Sequence, residues 1–208
     1  MTARSRSIPT KRSSPGRHGD TTIAAGNKRA EIFDAAVALF LHRGYDATSM
    51  RDIAAAVGVM PASIYYHYES KEALLVAAVA DGAGLLKASV DAATDSELDP
   101  WTQLERACAA HLTTLLHGPD VVRVLYFELQ RRREGRVESD LLRIRREYEN
   151  LFRDLIDALP IGDGVSRTHL RLTILGAMAW SPVWYRREGD SPTQIARALI
   201  ALVRYGSG

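Results

Sequence analysis

Residues 49–75 read SMRDIAAAVGVMPASIYYHYESKEALL, and the side chains that invite chemistry here are small, hydroxylated or aromatic. Pro61, Ala62 and Ser63 are short enough to let a helix tip approach another surface closely. Tyr66, His67 and Lys71 follow, with groups that reach phosphates or base edges, and Thr48 and Ser49 stand just ahead. Such groups supply backbone contacts to nucleic acid, and Pro61 or Ala62 can touch a thymine methyl. No Arg, Asn or Gln lies between Pro61 and His67, so the usual bidentate base contacts are absent from that segment. Arg51 either reaches nucleic acid or decorates the helix before the turn. Tyr65 reads as core. A plain pair of core helices in an all-helical protein is the other reading of the stretch.

Catalytic patterns are missing elsewhere. The chain has no phosphate-cradling glycine loop, no HExxH run and no GxSxG elbow. Glu128 and Glu134 form a carboxylate pair of the kind that helical sequences supply by chance. An enzyme is therefore not expected. His111, His117 and His169 are scattered, without a carboxylate partner at ligand spacing, so neither a metal nor a cofactor is expected. Cys108 is the only cysteine, which excludes an internal disulfide, suits a reducing cytoplasm and reads as a buried structural thiol. No apolar run seen in the letters approaches the roughly 20 residues of a membrane span. The N-terminus lacks the apolar core of a secretion signal. The expectation is a soluble cytoplasmic protein without a membrane partner.

Charge is uneven along the 208 residues. Through Lys71 there are 10 Lys and Arg against 6 Asp and Glu; the remainder has 17 against 19. The basic end thus coincides with the quoted stretch, as a nucleic-acid contact requires. A solvated tail is the alternative, because Arg4, Arg6, Lys11, Arg12 and Arg17 lie in residues 1–27, which lack periodicity and read as a disordered basic tail.

Those side chains need elements to hold them. From Lys28 an apolar face of Ile32, Phe33, Ala36, Val37, Leu39 and Phe40 predicts a helix that Gly44 ends. Ser49 with Asp52 resembles a capping box for a short second helix closed by Gly58. Pro61 opens a third helix, with Ile64, Tyr65 and Tyr68 as its inner face. Ser70 caps a helix over 71–92. Further helices are expected over 100–117, 121–132, 137–159, 166–186 and 192–204, with Pro182 kinking or ending the fourth of these. The fold class is all-α, nine helices, with no strand alternation and no repeat.

Residues 28–75 resemble the DNA-binding domain of the TetR family of bacterial transcriptional regulators. The resemblance rests on Leu39-Phe40, Gly44-Tyr45, Thr48-Ser49, Ile53-Ala54, Gly58-Val59, Ile64-Tyr65-Tyr66-His67-Tyr68 and Ser70-Lys71-Glu72-Ala73-Leu74. Two positions depart from it. Met60 stands where serine commonly caps the third helix, and Ala62 stands where glycine is frequent. The resemblance implies a three-helix head with a helix-turn-helix over 28–72 and a six-helix effector-binding and dimerisation domain over 73–208. It implies a homodimer on palindromic double-stranded operator DNA, a small-molecule pocket, and usually repression relieved by ligand. DNA contact carries over to Thr48, Ser49, Pro61, Ala62, Ser63, Tyr66, His67 and Lys71. LYFELQRR at 125–132, REYENLFRDLI at 146–156 and the run 175–199 also resemble regulators of lipid or CoA-thioester catabolism. They imply a hydrophobic effector, acyl-CoA included.

Candidate cavity residues are Trp101, Leu104, Cys108, His111, Leu115, Tyr126, Phe127, Leu151, Phe152, Leu155 and Trp180, which mix large apolar groups with a few polar ones. Packed core is their alternative assignment. Arg131, Arg132 and Arg133 either hold effector phosphates or end a helix in solvent. Leu172, Leu175, Gly176 and Ala179 form a stripe suited to a partner helix, with Ile195, Leu199 and Leu202 on the last helix. A helical dimeric protein-interaction module without sequence-specific DNA binding is the rival class.

Overall fold

A computed structural model describes residues 18–129 and 136–205, and the described residues form nine α-helices. They are α1 (His18–Arg43), α2 (Met50–Ala56), α3 (Pro61–His67), α4 (Lys71–Ala93), α5 (Pro100–His117), α6 (Asp120–Leu129), α7 (Arg136–Asp157), α8 (Arg167–Trp184) and α9 (Pro192–Tyr205). The all-α expectation is met, and most boundaries fall within two residues of those read from periodicity. One differs by a wide margin. The expected tail 1–27 is helical from His18, so α1 starts ten residues before the helix expected from Lys28. Periodicity is silent on a helix extension that carries no apolar stripe, and adding turns to a formed helix costs far less than nucleating one. Residues 1–17 and Arg131–Arg133 lie outside the described residues.

Local rules explain the breaks. Gly44 and Gly58 take positive φ values of 81° and 67°, which let the chain reverse after α1 and α2. Ser49 Oγ accepts the Asp52 N–H at 3.2 Å and the Asp52 carboxylate accepts the Ser49 N–H at 2.8 Å, completing the capping box. The Ser49 hydroxyl also donates to the Asp52 carboxylate at 2.6 Å, and this bond, with the one from the Ser49 N–H, holds the Asp52 carboxyl below its ordinary range. Ser70 Oγ accepts the Ala73 N–H, and Asp99 accepts from Trp101 and Thr102. The end of α7 is closed from a distance: the Arg167 guanidinium donates to the carbonyls of Ile156 and Leu159 at 2.5 and 3.1 Å. Pro182 lies in the last turn of α8, which stops two residues later.

Two apolar cores share α4. The first joins Ile32, Phe40, Ile53 and Ile64 of α1–α3, through Leu74, Leu75 and Leu86 of α4, to Val122, Leu125 and Ile144 of α6 and α7. The second gathers Val90, Trp101, Leu104, Cys108, Phe152, Ile174, Met178 and Ile200. The thiol of Cys108 is buried as expected, and burial pushes its pKa up. One expectation needs correction. By length and composition α4 is apolar enough to cross a bilayer. Its charges are too sparse to interrupt the run, and in the fold Leu74, Leu75, Val79, Leu86 and Val90 lie on its one buried face.

Helix α4 crosses α6 at Gly82, where an added Cβ would stand 2.8 Å from the Val121 carbonyl oxygen and 3.1 Å from the Leu125 Cβ. Gly84, on the same helix, faces open space. Gly82→Ala is expected to cost about 1–2 kcal/mol net, overpacking outweighing the gain in helix propensity. Gly84→Ala should gain about 0.5–1 kcal/mol. Urea unfolding of both variants checks the opposite signs.

Candidate nucleic-acid interface and effector cavity

In α3 the buried face is set by Ile64, followed by the buried Tyr68 just past the helix end. At 100° per residue Tyr66 then points nearly opposite Ile64, and it is 84% exposed. Ala62 and Ser63 are exposed beside it, while Pro61 and His67 are half-buried at the flanks. Tyr65 is 55% exposed, not core, because one step from Ile64 carries it off the inner face. Met60 caps α3 without a side-chain hydrogen bond and is itself exposed, adding an apolar group at the tip. The Tyr66 and His67 rings meet edge-on, centroids 5.2 Å apart.

Two residues expected to face DNA are turned inward. The Thr48 side chain is buried, and its hydroxyl donates to the Gly44 carbonyl at 2.8 Å. It holds the α1–α2 turn. The Lys71 ammonium donates to the carbonyls of Tyr45 and Thr48 at 2.9 and 2.8 Å and sits 4.1 Å from the Tyr45 ring centroid. Lys71 therefore ties the first turn of α4 to the turn before α2. Spacing alone could not reveal this, since both carbonyls lie more than twenty residues away. Ser49 is exposed at the start of α2, as is Arg51 on its first turn.

Behind the head lies a cavity of about 280 Å³ between α4, α5, α6, α7 and α8. Of the expected ligand residues, His111, Leu115 and Tyr126 line it. Trp101, Leu104, Cys108 and Phe152 do not; they are buried in the second core, and Leu151 and Leu155 pack against it. Trp101, Leu104, Cys108, His111 and Leu115 form one stripe on α5, but its first half is covered by α8 and α9 residues and only its second half meets the cavity. Phe127 is half exposed and borders a neighbouring cleft with His117, Arg123 and Tyr185. Trp180 is 58% exposed on the outside of α8.

The lining also includes residues that sequence reasoning missed. Ala83 and Leu86 come from α4, Leu125 from α6, and Ile144, Arg145, Tyr148 and Glu149 from α7. The strong apolar stripe of α7 was the available signal for Ile144 and Tyr148. In the wall, His111 Nδ1 and the Tyr148 hydroxyl lie 2.6 Å apart. Burial pushes the His111 pKa down to about 4 and the Tyr148 phenol up, so both are neutral at pH 7. Arg145 Nε donates to Glu149 at 2.6 Å, which neutralises both charges at the rim. The cavity is thus apolar with one neutral hydrogen-bonding pair.

The expected dimer stripe divides. Leu172, Gly176 and Ala179 are exposed yet also line the cavity, and Leu175 lines it half-buried. Ile195 and Leu199 are half-buried against the second core. Leu202 is exposed, as are Val183, Trp184 and Tyr205, so α8 and α9 present large apolar side chains outward.

Comparison with known proteins agrees with these features. Residues 32–78 match the family model described as bacterial regulatory proteins, tetR family, and residues 97–206 match the tetracyclin repressor-like C-terminal domain. The chain is 26% identical over 193 residues to the HTH-type transcriptional repressor KstR2 of Rhodococcus jostii (strain RHA1), covering 90% of this chain and 94% of that one. A solved regulatory protein of the tetR family from Rhodococcus RHA1 superposes with a TM-score of 0.73 at 26% identity, over 86% of this chain and 96% of the other. AibR, solved in complex with isovaleryl coenzyme A and operator DNA, shares the fold with a TM-score of 0.73 at 23% identity, over 84% and 97% of the two chains.

Lys71→Met should lower stability by about 1–3 kcal/mol, the loss of charge-assisted bonds, and leave the salt dependence of DNA binding unchanged. Intact stability with a salt slope reduced by about one would instead put the ammonium on a phosphate. His111 supplies a pH test. Its value of about 4 in the fold lies below its ordinary 6.5, so the unfolded chain binds the extra proton. Stability is then full above about pH 6.5 and falls by about 3 kcal/mol as pH drops toward 4. Urea midpoints of the wild type and His111→Phe across pH 4–7 should converge toward the acid end.

Proposed function

Because the chain belongs to the TetR family of bacterial helix-turn-helix transcriptional regulators, we propose that it is a repressor that binds a palindromic operator as a homodimer and leaves it when a hydrophobic, acyl-CoA-like effector fills the cavity. In this reading residues 28–72 are the DNA-binding head and 73–208 the effector-binding and dimerisation domain. Ser49, Pro61, Ala62, Ser63, Tyr66 and His67 make the DNA contacts, while Thr48 and Lys71 hold the turn that presents them. The exposed residues of α8 and α9, Leu172, Gly176, Ala179 and Leu202 among them, meet a second copy.

The observation that carries the proposal is the path of α4. Ala83 and Leu86 of α4 line the cavity, and Lys71 at the other end of the same helix grips the head. A ligand that displaces the cavity wall moves a rigid rod attached to the reading helix pair. Symmetric operators read by two such heads require a fixed separation, so a shift of α4 costs affinity. The cavity volume stands just under the roughly 300–1,000 Å³ common for small-molecule sites, which suits an acyl chain or a small ring system. The His111–Tyr148 pair offers a hydrogen bond to a carbonyl or hydroxyl on that group.

The test is a fluorescence-anisotropy titration of duplex from the adjoining intergenic region at two salt concentrations, with scrambled duplex as control. Selective binding by two protomers per site is expected, with release on adding acyl-CoA thioesters of suitable chain length. Narrowing the cavity by Ala83→Phe should abolish release by the thioester without abolishing operator binding. A dimer that shows no preference between the operator and scrambled duplex, and no salt dependence, would favour the protein-interaction module instead.

A further inference from the structure

The outward face of α3 is chemically narrow. Ala62 and Tyr66 lie one turn apart at its centre, Ser63 beside them, and Met60 projects from the tip. None of these side chains can make the paired hydrogen bonds by which guanine or adenine is read in the major groove. Among the described residues, the cations of the elements next to the face sit off α3: Arg43 ends α1, Arg51 is on α2, and Lys71 is spent on two carbonyls. Positive charge is therefore available at the margin, where phosphates run, and methyl, thioether and ring carbons are at the centre, where base edges lie. One feature of the major groove is recognised by carbon surface alone, the C5-methyl of thymine.

We propose that this chain selects its operator chiefly through thymine methyl groups, packed against Met60, Ala62 and the ring of Tyr66. The inference rests on the regulator reading above and specifies which base atoms are read. Each half-site then carries T·A pairs where the tip of α3 enters, with hydroxyl bonds from Ser63 and Tyr66 secondary. Ala62 matters by its size: its single methyl permits close approach while still offering a contact that glycine lacks.

The experiment begins with selection of a preferred duplex from random sequence using the full chain. Each thymine of the half-sites is then replaced by deoxyuridine, which removes only the methyl group. Replacement opposite the α3 tip should weaken binding about fourfold per methyl, or about fifteenfold for the symmetric pair, from the usual value of a buried methyl or methylene. Substituting 7-deazaguanine at the half-site guanines should change affinity less than about twofold, because no side chain on α3 makes the paired bond to guanine O6 and N7. In Met60→Ala and Ala62→Gly the uracil penalty should shrink, a coupling that a merely structural role would not produce. Affinity indifferent to uracil at every position, or lost on 7-deazaguanine substitution, overturns the proposal. Selection that returns no preferred sequence overturns the regulator reading itself, so the two failures are distinct.

Discussion

Burial of one broad face of α4 along nearly its whole length is the constraint from which the rest of the structure follows. The buried residues of α4, from Leu74 to Val90, share one face of the helix, and that face meets several neighbours in succession. The head covers its first turns, α6 its middle at Gly82, and α5 and α7 the remainder. Because packed interiors are dense and resist deformation, such a helix moves as a rod or not at all. The approach at Gly82 removes the slack that a side chain would provide. Under the proposed mechanism, displacement at the cavity wall would be delivered to the head instead of being absorbed at the α4–α6 crossing.

The two ends of this rod differ in kind. At the head the connection is polar and directional: one ammonium joins two carbonyls of the turn that precedes α2. At the cavity it is apolar, made by Ala83 and Leu86. Directional bonds fix orientation, which a reader of DNA needs, whereas apolar contact tolerates ligands of varied shape. The neutral His111–Tyr148 pair stands between these extremes. Its burial disfavours charge, so it can orient a ligand carbonyl or hydroxyl without attracting ions into the cavity.

The exposed surfaces complement this division. On α3, where a polar reading face would be the ordinary expectation for a DNA-binding helix, the outermost groups are Met60, Ala62 and Tyr66. On α8 and α9, Trp180, Val183, Trp184, Leu202 and Tyr205 leave a broad apolar surface in a single chain. Large exposed aromatic and aliphatic groups of this kind mark interaction surfaces, and here they lie on two faces with two different partners in view.

Local signals were legible in the letters because they act over a few residues. The glycine turns, the Ser49–Asp52 box, the proline at the start of α3 and the apolar faces of the helices all appeared at their positions. The family resemblance over 28–75 and the all-α class followed from the same short spacings. What tertiary structure alone decided was which side of each stripe is covered. Trp101 and Leu115 share one face of α5, yet one is packed and the other borders a cavity, because residues of α8 and α9 fill the space around Trp101 while α4, α6, α7 and α8 leave space beside Leu115. Lys71 and Thr48 carry the letters of DNA contacts but point inward, since the carbonyls that satisfy them are brought near only by the folded turn. Spacing along a chain encodes direction around a helix; what stands in that direction is settled by residues far away in sequence.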